Sequence, residues 1–257
     1  DRAAQAILEG RVVLLTDNSP EALIFPATLN SLFQTADDYY RNERIVTFLR
    51  LIRYVAAFLA LALPGLYVAA ATFHPQLLPG NLIRSMAEAR SGVPFPTAAE
   101  VLLMELSFEL LREAGLRMPG PAGNTIGIVG GLIVGQAAVS ANLVSPITVT
   151  VAALTALGSF SIPNEELSEV FRLWKYGILL LGSCFGILGV MLGCFLLLML
   201  MAEQESYGIP WLYPYVGGNL NERADEKDSM FLAAARKRKR RPIFAKWGNR
   251  IRFRRKS

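Results

Sequence analysis

Four carboxylates and a guanidinium stand where charge is least expected. In "FPTAAEVLLMELSFELLREAG" (95–115), Glu100, Glu105, Glu109, Arg112 and Glu113 interrupt a run of leucines with Met104 and Phe108. Charge is expensive in hydrocarbon, so such groups face water, a protein-lined cavity or a partner. On a helical wheel Glu105, Glu109, Arg112 and Glu113 fall within an arc of roughly 100°, opposite a broad apolar face. Three chemistries fit. An acidic stripe open to water would draw cations into a vestibule. Glu109 buried against Arg112 or a neighbouring subunit would be a structural ion pair. Carboxylates merely solvated at a surface would do neither, with Arg112, Glu109 and Glu113 as an ordinary helix-surface network. Four acids against one arginine leave net negative charge, which favours the vestibule.

A second candidate is a weakly polar stripe. Thr148, Ala152, Thr155 and Ser159 share one helical face at i, i+4, i+7 and i+11, which suits a pore that solvates ions without trapping them. The competing reading is that these hydroxyls bond back to their own helix carbonyls. Gln136 and Ser140 are the next pore candidates. Two series of small residues, Gly123, Gly127, Gly131 and Gly135, then Gly182, Gly186, Gly189 and Gly193, let another backbone approach closely and read as helix-packing faces.

The rest of the inventory excludes most catalysis. The single histidine, His74, lies between Phe73 and Pro75 and reads as an interfacial side chain. Cys184 and Cys194 fall in one apolar run, about 15 Å apart on a continuous helix, too far for a disulfide. No nucleophile–base pair and no metal-ligand spacing appears. The chain is therefore not read as an enzyme, and no cofactor or metal is expected.

These residues must be positioned by elements that composition already suggests are membrane-bound: 53% of the 257 residues are hydrophobic and 18% charged. The sequence predicts a mainly α, polytopic helical membrane protein with about four transmembrane helices and an interfacial or re-entrant helix, preceded by the end of a soluble α/β domain. Residues 1–47 hold two strands, "GRVVLLTD" and "ALIFPATL", joined by a turn at "NSPE", then a polar helix around "ADDYYRNERI". They read as the C-terminal remnant of a cytoplasmic domain. The transmembrane part is 48–203, with spans near 48–73, 124–145, 147–163 and 176–202 and the amphipathic helix at 95–115. Pro64-Gly65 should kink the first span, and Ser145-Pro146 should turn the second into the third. Arg41, Arg44, Arg50 and Arg53 crowd the start of the first span and place it in the cytoplasm. An even number of crossings then leaves both ends cytoplasmic, with 163–175 on the far side.

Residues 204–257 form a juxtamembrane segment and a polybasic tail. From Arg236 onward the chain carries 12 of its 26 Lys and Arg and no acid, so the formal net charge of +5 belongs to the tail. Tethered to a bilayer, Arg236, Lys237, Arg238, Lys239, Arg240 and Arg241 meet anionic headgroups, and nucleic acid is not expected as a partner.

Several segments together, "EGRVVLLTDNSPEALIFPATL", "DDYY", "FHPQLLP", "GVPFP", "ELSFELLREAGLRMP", "IGIVGGLIVGQAAV", "SFSIPN", "YGIPWLYPY" and "DEKD", resemble the A-subunit family of spore germination proteins, the GerA family. That resemblance implies the membrane part of a germinant receptor in the inner membrane of the spore. It also implies an oligomeric ligand-gated ion channel with B and C partner subunits. Asp17-Asn18-Ser19-Pro20, where relatives often have an Asp-Gly turn, and the basic tail leave the SpoVAF-like subfamily, an accessory germination channel, as the alternative. A non-conducting scaffold for partner subunits is the other.

Overall fold

The computed structural model describes residues 2–19, 21–117, 121–216, 228–233 and 242–245, with residues 121–129 described in backbone alone. The basic run Arg236–Arg241 lies outside the described residues. The chain divides into two compact units: Asp1–Val55, Ile162–Leu167 and Leu197–Ser257 form the first, and Ala56–Ser161 with Ser168–Leu196 the second.

The first unit opens with α1 (Arg2–Glu9). The predicted hairpin follows as β1 (Val12–Leu15) and β2 (Ala22–Phe25), antiparallel with Val12 opposite Phe25. Thr28 then caps the short α2 (Leu29–Phe33) through a reciprocal capping box with Ser31, which satisfies two of the donors that a helix start leaves orphaned. The expected polar helix around "ADDYYRNERI" is instead one 3-10 turn, Ala36–Tyr39. Beyond it α3 (Glu43–Thr72) runs for 30 residues as one helix that contains Pro64. At the other end of the chain a small hairpin, β3 (Glu205–Ser206) with β4 (Ile209–Pro210), docks on the start of α2: Ser206 Oγ accepts from Ala27 N at 3.1 Å, and Leu29 N donates to Trp211 O at 2.8 Å.

The second unit is a helix bundle built from the remainder of α3, α4 (Gly80–Ala89), α5 (Thr97–Leu116), α6 (Pro121–Ser140), α7 (Pro146–Phe160), α8 (Glu165–Phe185) from Ser168 onward and α9 (Ile187–Glu203) as far as Leu196. The turn between α6 and α7 is where the sequence predicts it: Ser145 caps α7 by accepting from Thr148 N, with Pro146 at the first helical position.

Small residues fix how the helices meet. A Cβ on Gly158 would come within 2.5 Å of Ala56 O, so α7 crosses α3 backbone to backbone. Gly131 lies under Phe108 and Gly130 under Leu111, which sets α6 antiparallel to α5. Gly135 meets Val149 on α7, and Gly182 meets Gly65 on α3. Gly123 and Gly127 fall where only the α6 backbone is described. Tyr67, Val68, Met86, Val101, Val151 and Leu179 form one core cluster; Met104, Ala138, Val144 and Ala152 form the other.

Two expectations need correction. The run 176–202 is not one span. It breaks at Gly186, which adopts φ +64°, a left-handed conformation open to glycine at little cost. The chain then folds back as a hairpin of α8 and α9. Gly182 faces Val190, and a Cβ on Gly193 would lie 2.8 Å from Ile178 Cγ1, whereas a straight helix would hold residues 178 and 193 about 22 Å apart. His74 and Phe73 cover the tip, with a Cβ at Gly186 only 3.0 Å from His74 Cε1. The premise for separating Cys184 and Cys194 therefore changes, although both are free thiols.

The second correction concerns 163–175. Its first residues do not lie away from the chain ends, because Ile162–Leu167 belongs to the unit that also contains Asp1–Val55. Among the described residues one helix, α3, is long and apolar enough to cross a membrane; the apolar stretches Gly130–Ser140, Pro146–Phe160 and Ile187–Glu203 are shorter.

Candidate functional site

Two of the carboxylates that open the sequence problem, Glu100 and Glu105, turn inward. Glu100 is fully buried. Its Oε1 accepts from Arg90 Nε at 3.1 Å, while Oε2 accepts from Ser145 N at 3.0 Å and Thr148 Oγ1 at 3.1 Å. One buried acid thus ties the α4 end and the α5 start to the α7 cap. One and two turns further along α5, Glu105 and Glu109 face α8. Lys175 Nζ donates to Glu105 Oε2 at 2.6 Å, with both side chains nearly inaccessible. Arg172 Nη1 donates to Glu109 Oε1, and Arg172 Nη2 also reaches Glu169 at 3.5 Å. Carboxylates at i and i+4 on α5 therefore match cations at i and i+3 on antiparallel α8. The result is a charge-compensated ladder between α5 and α8.

This placement gives Glu105 and Glu109 ion-pair partners on α8, with Glu109 36% exposed at its side chain. Glu105 is 2% exposed, and both acids draw their cations from α8. Glu113 is an exposed surface acid, paired with Arg117 at 2.6 Å on its own helix. Arg112 turns toward α7, donating to Ser159 Oγ at 3.3 Å and lying 5.0 Å from the Phe160 ring centroid.

The α7 stripe is likewise buried rather than open to water: Thr148, Ala152, Thr155 and Ser159 are all buried in the bundle. Thr155 Oγ1 donates to Val151 O at 2.9 Å and Ser159 Oγ to Ala156 O at 2.7 Å, which is the back-bonding that competes with a pore role. Thr148 is absorbed by Glu100, Ser145 and, at 3.4 Å, the Tyr67 hydroxyl. Gln136 and Ser140 remain exposed, on the wall of a groove between α5, α6 and α7 of about 1100 Å³.

A second ionic cluster, in the first unit, was not anticipated. Arg50 on α3 is 1% exposed. It donates from Nε to Asp38 Oδ2 at 3.1 Å, and from Nη1 to Asp228 Oδ1 at 3.1 Å and Ser229 O at 2.7 Å. Arg53 closes a bidentate pair on Asp38 at 2.9 and 3.0 Å. Asn30 and Gln34 donate to Asp228 O, and the Tyr39 hydroxyl donates to Asp228 Oδ2 at 3.1 Å. "DDYY" and the last residue of "DEKD" thus converge on two arginines that the sequence reading used only as topological markers. Burial alone would raise the Asp38 carboxyl, but hydrogen bonds from Arg53 and Thr35 outweigh it and hold Asp38 below the usual range. The Tyr39 phenol moves the other way, raised by burial and by the Asp228 carboxylate.

The signal for the ladder was present in the sequence. Glu105 and Glu109 lie one turn apart in one apolar helix, and Arg172 and Lys175 one turn apart in another. Among the described residues no cluster of histidine, cysteine and acids is placed to hold a metal.

The second unit is a helical bundle, and among the described residues the chain carries one helix, α3, long and apolar enough to cross a membrane, which fits a membrane protein. Residues 1–244 match the family described as Bacillus/Clostridium GerA spore germination protein, and the chain belongs to that family. It is 42% identical over 234 residues, 91% of its length, to an uncharacterized membrane protein YfkQ of Bacillus subtilis, covering 45% of that protein. It is 41% identical over 214 residues to spore germination protein GerLA of Bacillus cereus, covering 83% of this chain and 44% of the relative. Spore germination protein A1 of Bacillus subtilis is 40% identical over 214 residues, again 83% of this chain and 44% of the relative. The chain spans less than half the length of these curated relatives. No solved structure matches it.

Proposed function

We propose that the chain is the membrane part of a germinant-receptor A subunit that assembles as an oligomer, together with B and C subunits, and conducts cations across the inner membrane of the spore in response to germinants. Both ends are cytoplasmic in this reading. In its support, Asp1–Val55 and Leu197–Ser257 fall in one compact unit. The basic run Arg236–Arg241 holds that side against anionic headgroups.

The observation that carries the proposal is the ladder Glu105–Lys175 and Glu109–Arg172. An anchoring bundle would be as stable or more so with apolar residues there, whereas ionisable groups at membrane depth are by default functional. The ladder marks the conduction route: separating α5 from α8 would bare two carboxylates and two cations to entering water. Potassium efflux from liposomes holding the full-length protein tests this. Efflux above that of empty liposomes, lowered in Glu105→Gln/Glu109→Gln protein that still assembles, supports conduction.

The buried α7 stripe favours a second reading, a non-conducting scaffold for partner subunits. An intact oligomer that binds its partners but passes no ions would establish it. SpoVAF-like accessory conduction differs in being independent of germinant.

A further inference from the structure

The hairpin of β1 and β2 is a sheet with an open side. Its strands, "VVLL" (Val12–Leu15) and "ALIF" (Ala22–Phe25), are apolar at every position, the pattern of strands covered on both faces. Yet Val12, Leu14 and Leu15 are exposed. Two strands alone are marginally stable in water, and alternate residues of β1 turn their N–H and C=O groups away from β2. Among the described residues no other strand pairs with β1. The strand also carries none of the prolines or charges that blunt natural sheet edges. The outer side of β2 differs: Pro26 follows the strand at once, and Tyr207, in the turn between β3 and β4, packs edge-on against Phe25 with ring centroids 5.2 Å apart.

The helix before the hairpin says what kind of element completes that edge. α1 packs on both strands and passes into β1 through two residues. Gly10, at φ +89°, ends the helix in a Schellman motif: Gly10 N donates to Ile7 O at 3.0 Å and Arg11 N to Ala6 O at 2.9 Å. A helix docked on a sheet and feeding directly into a strand is the second half of a β-α-β unit, whose first strand lies parallel to the strand that the helix feeds. Less than half of the length of the curated relatives falls within the span they share with this chain, so a protein of their length has chain to spare for such a strand. We infer that the free edge of β1 is the docking site for a strand that precedes α1 in the longer polypeptide, parallel to β1, apolar on both faces, and joined to it by a right-handed crossover through α1. Such a strand ties the preceding polypeptide to the start of α3, because β2 leads through the Thr28 cap and α2 to Asp38, which holds Arg50 and Arg53. The assignment does not depend on ion conduction, and its test reads no flux.

The full-length protein in mild detergent, carrying Leu14→p-benzoylphenylalanine, should on irradiation form a cross-link to a peptide that precedes α1 in the same polypeptide, since paired strands lie about 4.8 Å apart. Mass spectrometry of the digest identifies the peptide, and mixing isotope-labelled with unlabelled protein distinguishes a link within one copy from a link between two. Residue-resolved hydrogen exchange on the unsubstituted protein needs no variant to fold. All four amides of β1 should be protected, whereas a free edge leaves alternate ones exchanging at the unfolded rate. Unprotected alternate amides would overturn the inference. A cross-link between two copies would overturn it as well and assign the edge to a second copy of the chain, and a cross-link only to residues that follow β2 or to detergent would leave no strand of the preceding polypeptide on β1.

Discussion

Removing one member of the Glu105–Lys175 pair should cost far more than removing both. Their nitrogen and oxygen lie 2.6 Å apart with side chains 6% and 2% exposed, so neither charge has water to fall back on. In Glu105→Leu the Lys175 ammonium stays buried without its partner. Breaking a buried pair this way costs ~3–5 kcal/mol. At ~2–4 °C per kcal/mol for a domain of this size, the melting midpoint should fall by roughly 6–20 °C. In Glu105→Leu/Lys175→Met both charges go and the volume stays apolar, so stability should be unchanged or raised by ~1–4 kcal/mol. Thermal melts of native, two single-variant and double-variant protein in one detergent close a double-mutant cycle. A single variant that melts with the native protein would refute the reasoning, since the charges would then be hydrated or paired elsewhere. A double variant as unstable as the singles would refute it differently, showing that the side chains matter for shape and not charge.

Gly158→Leu should push α7 off α3, because even a Cβ lies 2.5 Å from Ala56 O and 3.1 Å from Ala60 N; a loss of ~1–3 kcal/mol or more is expected, read as a lowered melting midpoint. Ile178→Cys with Gly193→Cys, in protein whose native cysteines are replaced by serine, should cross-link on mild oxidation; no cross-link would restore a single straight helix through 176–202. The Asp38 carboxyl is held below its ordinary value, so the stability it contributes is present above its unfolded pKa of about 3.9 and is lost as pH falls through the lower folded value. Acid unfolding followed by tryptophan fluorescence should therefore weaken below about pH 4 in the native protein, and Asp38→Asn should be destabilised at pH 7 yet lose less on acidification.

What the sequence discloses is what lies close along the chain. Ser145-Pro146 marks the start of α7 because a capping hydroxyl and a proline act within one turn. The hairpin of β1 and β2 is legible because its turn residues separate two apolar runs. Gly186 is hidden for the opposite reason: in a run holding Gly177, Gly182, Gly189 and Gly193, no local sign says which glycine adopts a positive φ. Glu105 and Glu109 were seen, but their cations sit some seventy and sixty residues later, beyond any helical periodicity. Charge balance across the two segments is the one sequence-level clue that would have joined them. Arg50 fits two descriptions at once. A basic residue at the mouth of a membrane helix satisfies the topological rule whether it is solvated or, as here, buried between Asp38 and Asp228.

The clasp on Arg50 also imposes an order of events on synthesis. Asp38 leaves the ribosome before α3 does, but Asp228 follows every helix of the bundle. Until the segment around residue 228 is made, two guanidinium groups share one carboxylate, and the Tyr39, Asn30 and Gln34 side chains lack the acceptors that Asp228 provides. The ionic cluster at the start of α3 is therefore finished last. A nascent chain that stalls or is clipped before that point carries two arginines against one carboxylate in this cluster, so the far end of the polypeptide vouches for the near one.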